Sequence, residues 1–164
     1  MQTSQPVNVH QEAEQLKQVP MFSRLEPAKL KLLAFTSDAV TFSDGQVLCH
    51  INEPSDCTYV ILDGEVEILD EMDDGQFVPL FTVGKNSLIG ELAVLRNQPR
   101  SATVRAKGPV HTLRIANDMF LKLVTENAVV ALDVMRQLGD KLAVTHHEAA
   151  ELQRKLRQYE TAAG

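Results

Sequence analysis

One stretch of the chain gathers residue types able to hold an anion beside a sugar: Ile89-Gly90-Glu91-Leu92-Ala93-Val94-Leu95-Arg96-Asn97-Gln98-Pro99-Arg100-Ser101-Ala102-Thr103-Val104. It reads as a short helix opened by a glycine, an irregular loop closed by a proline, and a strand that begins with an arginine. A glycine at a helix start lets backbone approach a ligand closely, and the free N–H groups of the first turn make a small anion site. Arg100 offers the same anion an always-charged guanidinium, forked to match two phosphate oxygens. Ser101 adds a hydroxyl and its backbone N–H. Glu91 is the odd member: a carboxylate beside a phosphate repels it unless the carboxylate faces a sugar hydroxyl and accepts a hydrogen bond from it. Together these groups describe a small phosphate fused to a ribose. A plainer reading of the same two charges is a structural ion pair between Glu91 and Arg100 across a loop.

Those residues need a scaffold, and from about Ala39 to Ile115 the chain is a run of short β-rich segments separated by turn signals. Segments at Val40 to Phe42, Val47 to Ile51, Thr58 to Leu62, Glu65 to Leu69, Phe77 to Thr82, Ser101 to Ala106 and Val110 to Ile115 are divided by Ser43-Asp44-Gly45, Asn52-Glu53-Pro54-Ser55-Asp56, Asp63-Gly64 and Asp73-Asp74-Gly75. Such dividers are comfortable at positive φ or carry a proline. Glu65-Val66-Glu67-Ile68 alternates charge with apolar groups, as a strand with one wet face should. The fold class is mainly β with flanking helices, and roughly eight strands fit an antiparallel jelly-roll barrel.

Helical pattern brackets the β region. Leu16 and Val19 share a face before Pro20; Pro27 then opens a second short helix striped by Leu30, Leu33 and Ala34. Asn117 reads as the N-cap of a helix starting Asp118-Met119-Phe120. From Ala128 to Tyr159 there is no proline, and Met135, Leu138, Leu142, Thr145, Ala149, Leu152, Leu156 and Tyr159 recur at alternating spacings of 3 and 4. That is an a/d seam expected to pair with a like helix as a two-stranded coiled coil; the alternative is an amphipathic helix packed on its own barrel. Lys155 with Glu160 of a like helix makes a g-to-e ion pair, whereas Lys141 with His146 does not. The chain therefore divides into a disordered arm over 1–10, a β-barrel domain with lead-in helices over 11–125, and a long dimerisation helix over 126–164.

Charge and length set bounds on function. The 164 residues suit one module or one small enzyme, and 16 basic against 22 acidic residues leave a net charge of -6. An acidic surface argues against non-specific nucleic acid or anionic membrane, both of which need a basic footprint. No apolar run suggests a spanning helix and the polar N-terminus has no signal-peptide pattern, so the expected location is cytoplasmic. Cys49 and Cys57 read as ordinary thiols, with no zinc spacing. His146 and His147 point about 100° apart on a helix and cannot share a metal as an i, i+4 pair could; no metal site is expected.

Gly-Glu-Leu-Ala over 90–93 followed by Pro-Arg-Ser-Ala-Thr-Val over 99–104 resembles the phosphate-binding cassette of the cyclic-nucleotide-binding domain family, of the type found in protein kinase A regulatory subunits and the catabolite activator protein. Val19-Pro20-Met21-Phe22-Ser23-Arg24-Leu25 resembles the family's lead-in segment, and Asn52 to Asp56, Tyr59-Val60-Ile61 and Gly64-Glu65-Val66 resemble its central hairpins. The resemblance covers about residues 15 to 145. It implies that Arg100 and the N–H of Ser101 hold the exocyclic phosphate oxygens, helped by N–H groups of Leu92 and Ala93, with Ala102 next in the cassette. Glu91, with the backbone of Gly90, is implied to take the ribose 2′-hydroxyl. Ile68, Leu80 and Ile89 are implied for the apolar wall under the purine, or serve as plain core. Asn52 and Asn86 stand where the family usually has glycine, and asparagine is the substitute best able to keep a left-handed backbone. Thr145 resembles the family's base-reaching helix position; its hydroxyl on the seam is explained by a bond to the nucleotide or to the helix backbone. His146 stands where the catabolite activator protein has serine.

The expected function is a non-catalytic sensor of cyclic AMP or cyclic GMP, a homodimer through its C-terminal helix that signals to an unidentified protein effector. No cofactor is expected, and the segment after Thr145 is too short for a helix-turn-helix, so direct DNA binding is not expected. The alternative is an interaction module with the same barrel that binds no nucleotide. An enzyme acting on cyclic nucleotides would need a metal cluster or a nucleophile beside a base, and the sequence offers neither.

Overall fold

The structure, a computed structural model, describes residues 3–4 and 8–164. Helix α1 (Val9–Leu16) starts where the Asn8 side chain accepts a hydrogen bond from the Gln11 N–H at 3.3 Å, and it buries Ala13 and Leu16. A 3₁₀ turn at Pro20–Phe22 leads to α2 (Pro27–Thr36), whose buried side chains, Leu30, Leu33 and Ala34, are the stripe read from the sequence. Of the expected disordered arm over 1–10, residues 1–2 and 5–7 lie outside the described residues. Thr3–Ser4 (β1) pairs with Val40 and Thr41, and the helix begins at Val9.

The remaining strands are β2 (Asp38–Phe42), β3 (Val47–Cys49), β4 (Cys57–Glu71), β5 (Phe77–Val83), β6 (Leu88–Ile89) and β7 (Thr103–Ala116). All pairings are antiparallel, in the order β1-β2-β7-β4-β5, with β3 also on β7 and β6 on β4. This corrects the eight-stranded closed barrel. The sheet path is open, and the described residues form seven strands, six without the two-residue β1.

The reason lies at Asp63-Gly64 and Lys107-Gly108-Pro109. Instead of reversing the chain, each continues one long strand through a bulge, and the register of β4 on β7 slips between Ile61, Asp63 and Glu65. Gly64 has φ +93°, and a Cβ there would lie 2.4 Å from the Pro109 carbonyl oxygen. Only glycine lets the bent strands come this close.

Two cores result. One lies inside the curled sheet, around Phe42, Tyr59, Ile61, Val66 and Val110, with Phe42 and Tyr59 edge to face at 5.8 Å. The other seals the helices onto the sheet, around Leu16, Phe22, Leu33, Leu113, Phe120 and Val130.

After β7 comes α4 (Asn117–Glu126), and then α5 (Ala128–Ala163). The sequence places the cap of α4 at Asn117; the structure puts Ala116 there, and Asn117 donates from Nδ2 to the Ser55 carbonyl at 2.6 Å. Helix α5 has 36 residues, about 54 Å at 1.5 Å per residue. It buries only Val130 and Val134. Asp133 anchors it to Arg24 at 2.5 Å. The heptad stripe beyond is uncovered: Leu142 is 71% exposed and Tyr159 77%. Packing on its own sheet is therefore not what becomes of that stripe. No helix among the described residues is long and apolar enough to cross a membrane.

Candidate functional site

A cavity of about 850 Å³ opens between the sheet, α3 (Glu91–Arg96) and α5. Its volume falls within the ~300–1,000 Å³ of small-molecule sites. Pairing of β6 with β4, Ile89 opposite Tyr59, delivers the chain to Gly90 at the cavity floor. Gly90 takes φ +85° as the residue before α3, and a Cβ on it would lie 1.9 Å from Nη1 of Arg100. The glycine is required twice, for the left-handed backbone and for the space that the guanidinium occupies.

Arg100 is 4% exposed. Its backbone is pinned on both sides, the N–H donating to the Glu53 carbonyl at 2.9 Å and the carbonyl accepting from the Asn52 N–H at 2.8 Å. That clamp works because Asn52 sits at φ +69°; Asn86 likewise sits at φ +67°, so both asparagines take the left-handed backbone expected of them. Nη2 donates to the Cys57 carbonyl at 2.7 Å and lies 3.3 Å from its Sγ, with the Asp56 carboxylate at 3.7 Å. Nη1 is buried and has no hydrogen-bond partner. A guanidinium nitrogen kept from water without an acceptor is costly, and it supplies a donor for an anion.

Glu91 does not pair with Arg100. Its Oε1 accepts from Nζ of Lys141 on α5 at 2.7 Å, and its side chain is 11% exposed. The structural ion pair weighed in the sequence is thus replaced by two separate arrangements, one charge bound to backbone and one to another helix.

The expected site residues Ile89, Gly90, Glu91, Leu92 and Ala93 line one side of the cavity, and Arg100, Ser101 and Ala102 line another, with Thr145 at the α5 edge. The first-turn N–H groups of α3, Leu92 and Ala93 among them, have no intrahelical acceptor. Thr145 donates to the Lys141 carbonyl at 2.9 Å, the helix-backbone alternative considered for it. Ile68 lines the cavity, but Leu80 does not; Phe81 and Val83 take that wall. Phe81 pairs with Ile68 and reaches the cavity wall while staying 59% exposed, whereas Leu80 is the unpaired residue at the register shift of β5 on β4 and lies off the wall.

The sequence reading missed Lys141 and the other α5 residues on this face, Gln137, Asp140 and Val144. A signal was present: 137, 141 and 144 share a helix face distinct from the heptad stripe. Cys49 also lines the cavity. Burial pushes its thiol up to about 11, against the opposing pull of the Arg100 guanidinium. Burial raises the Cys57 thiol and the Tyr59 phenol as well. Both cysteines are free, and no cluster of three metal-ligating side chains forms among the described residues.

A family model described as the cyclic nucleotide-binding domain matches residues 39–127. The chain is 30% identical over 109 residues to a cAMP-dependent protein kinase regulatory subunit of Blastocladiella emersonii, covering 66% of this chain and 27% of that protein. It spans about a quarter of the length of the curated relatives it matches. The sensor domain of the transcriptional regulator DNR from Pseudomonas aeruginosa shares the fold with a TM-score of 0.76 at 23% identity, over 85% of this chain and 94% of that one. The catabolite activator protein of Thermus thermophilus does so with a TM-score of 0.73 at 22% identity, over 82% and 63%. With more than half of the chain matched, across the sheet and the cassette that holds Arg100 and Glu91, the chain belongs to the cyclic nucleotide-binding domain family.

Proposed function

We propose that this chain is a non-catalytic sensor that takes cyclic AMP into the cavity between its sheet and α5 and passes the change to a protein partner through α5. The observation that carries the reading is the buried Nη1 of Arg100, without a partner beside Gly90. An exocyclic phosphate oxygen would supply the missing acceptor, with the N–H of Ser101 and those of Leu92 and Ala93 around it. Glu91 would accept from the ribose 2′-hydroxyl. Ile68, Phe81, Val83 and Ile89 offer the apolar wall that a purine ring needs. Cyclic AMP, rather than cyclic GMP, rests on the regulatory-subunit relative being named for it. Absence of catalysis rests on the roles of the polar groups: each binds or positions, and the thiol that lines the cavity, Cys49, is held protonated by burial.

The test is titration calorimetry with cyclic AMP and cyclic GMP in parallel, followed by chromatography for product. Cyclic AMP is expected to bind more tightly and to be recovered intact. Arg100→Ala is expected to weaken binding on the order of a hundredfold or more, since two charge-assisted bonds are lost. Unchanged affinity in that variant, or no binding of either nucleotide to the wild type, overturns the reading.

A further inference from the structure

We propose that Arg114 is a positioning residue for the anion seat: it takes up the Asp56 carboxylate and so keeps that carboxylate from closing on Arg100 in place of a phosphate. The inference deepens the cyclic-nucleotide reading and rests on it.

The starting observation is that two guanidinium groups share one carboxylate. Oδ2 of Asp56 accepts from Nη2 of Arg114 at 3.2 Å, while its Oδ1 stands 3.7 Å from Nη2 of Arg100, beyond hydrogen-bond distance. On burial alone Arg100 would win the carboxylate, since its side chain is 4% exposed against 31% for Arg114, and a charge kept from water attracts a counter-ion more strongly. The geometry favours Arg114 instead, because Nη2 of Arg100 is already engaged by the Cys57 carbonyl at 2.7 Å. The donor of Arg100 left buried without a partner is Nη1, beside Gly90. A carboxylate that swung onto Arg100 would compete with the phosphate for the same positive charge and draw the guanidinium away from Gly90.

The second observation is how Arg114 is held. It lies on β7, the central strand, directly opposite Asp38 of β2 and Tyr59 of β4. Opposed residues share a face of the sheet, so the Arg114 stem runs beside the buried Tyr59. Its guanidinium meets Asp38 at 3.9 Å through Nη1 and Asp56 through Nη2. A fork that serves two carboxylates at once is what arginine offers and lysine does not. Asp56 immediately precedes Cys57, whose carbonyl holds Arg100, so the four charges alternate in sign from the sheet to the cavity: Asp38, Arg114, Asp56, Arg100. Without Arg114, Asp56 has only Arg100 to pair with. Arg114 is not among the residues that line the cavity, so it acts on a ligand through Asp56 and Arg100 and not by contact.

The experiment is calorimetry on a double-mutant cycle of Arg114→Met and Asp56→Asn with cyclic AMP, with cyclic GMP as a second arm. Arg114→Met is expected to weaken binding on the order of tenfold, and Asp56→Asn in the same chain to recover most of that loss, because the competing charge is gone. Asp56→Asn alone is expected to leave affinity within about threefold of the wild type. Arg114→Lys, which keeps the charge but not the fork, is expected to fall between the wild type and Arg114→Met. A merely structural role for Arg114 would give a loss that Asp56→Asn does not recover. That outcome, or unchanged affinity in Arg114→Met, overturns the inference while leaving the nucleotide site standing. Circular dichroism checks that each variant folds; if Arg114→Met does not, the same cycle is run from Arg114→Gln with the same criterion. If the wild type binds neither nucleotide, the site reading fails and this inference with it.

Discussion

Gly90 shows how much one residue can decide. Its φ of +85° suits few other residues, and a methyl group added to it would sit 1.9 Å from Arg100 Nη1. Alanine there would strain the backbone by about 1–3 kcal/mol and push the guanidinium off its seat. Gly90→Ala should therefore lower the midpoint of thermal unfolding and weaken nucleotide binding toward the level of Arg100→Ala, both measurable on one preparation. The glycine, the arginine and the left-handed asparagines were legible in the sequence because their requirement is local: φ, shape and charge are properties of the residue itself. The partner of Glu91 was not. Lys141 lies 50 residues further on, and nothing in either segment names the other.

At the scale of elements, the same local signal led to two different outcomes. Asp44-Gly45 and Asp74-Gly75 stand where the chain leaves a strand, whereas Asp63-Gly64 lies inside β4 and bends it. Both uses require a positive φ, so residue types alone do not separate a turn from a bulge. What separates them is the partner strand: Gly64 faces Pro109, with 2.4 Å between a would-be Cβ and that carbonyl oxygen. Gly64→Ala is expected to destabilise the fold by about 2 kcal/mol or more, through strain and the backbone clash together, read from urea unfolding. A true two-residue turn open to solvent would tolerate the change better, and Gly75, with nothing within 4 Å of its would-be Cβ, is the control. Merging pairs of expected strands into β4 and β7 is what lowered the strand count, while the order of β and helical segments stood as read.

Over the whole molecule, α5 extends well past the sheet with an apolar stripe that its own chain leaves bare. Such a stripe at heptad spacing is most simply covered by a second copy. Sedimentation velocity should find a dimer, and Leu152→Asp should yield a monomer that still binds nucleotide, because Leu152 lies beyond the residues lining the cavity. A wild type that sediments as a monomer, or a Leu152→Asp variant that remains dimeric, would reject the coil. Helix, stripe and cassette were all readable from the chain, since amphipathic period and turn chemistry are written in neighbours three or four residues apart. The tertiary structure decided what depends on distant segments meeting: whether the sheet closes, which of Leu80 and Phe81 faces the cavity, and which charge balances Glu91. The two readings of Glu91 and Arg100, groups held apart in one site or an ion pair with each other, carried the same residues and the same net charge. Only the folded geometry, with backbone carbonyl against one and Lys141 against the other, could separate them.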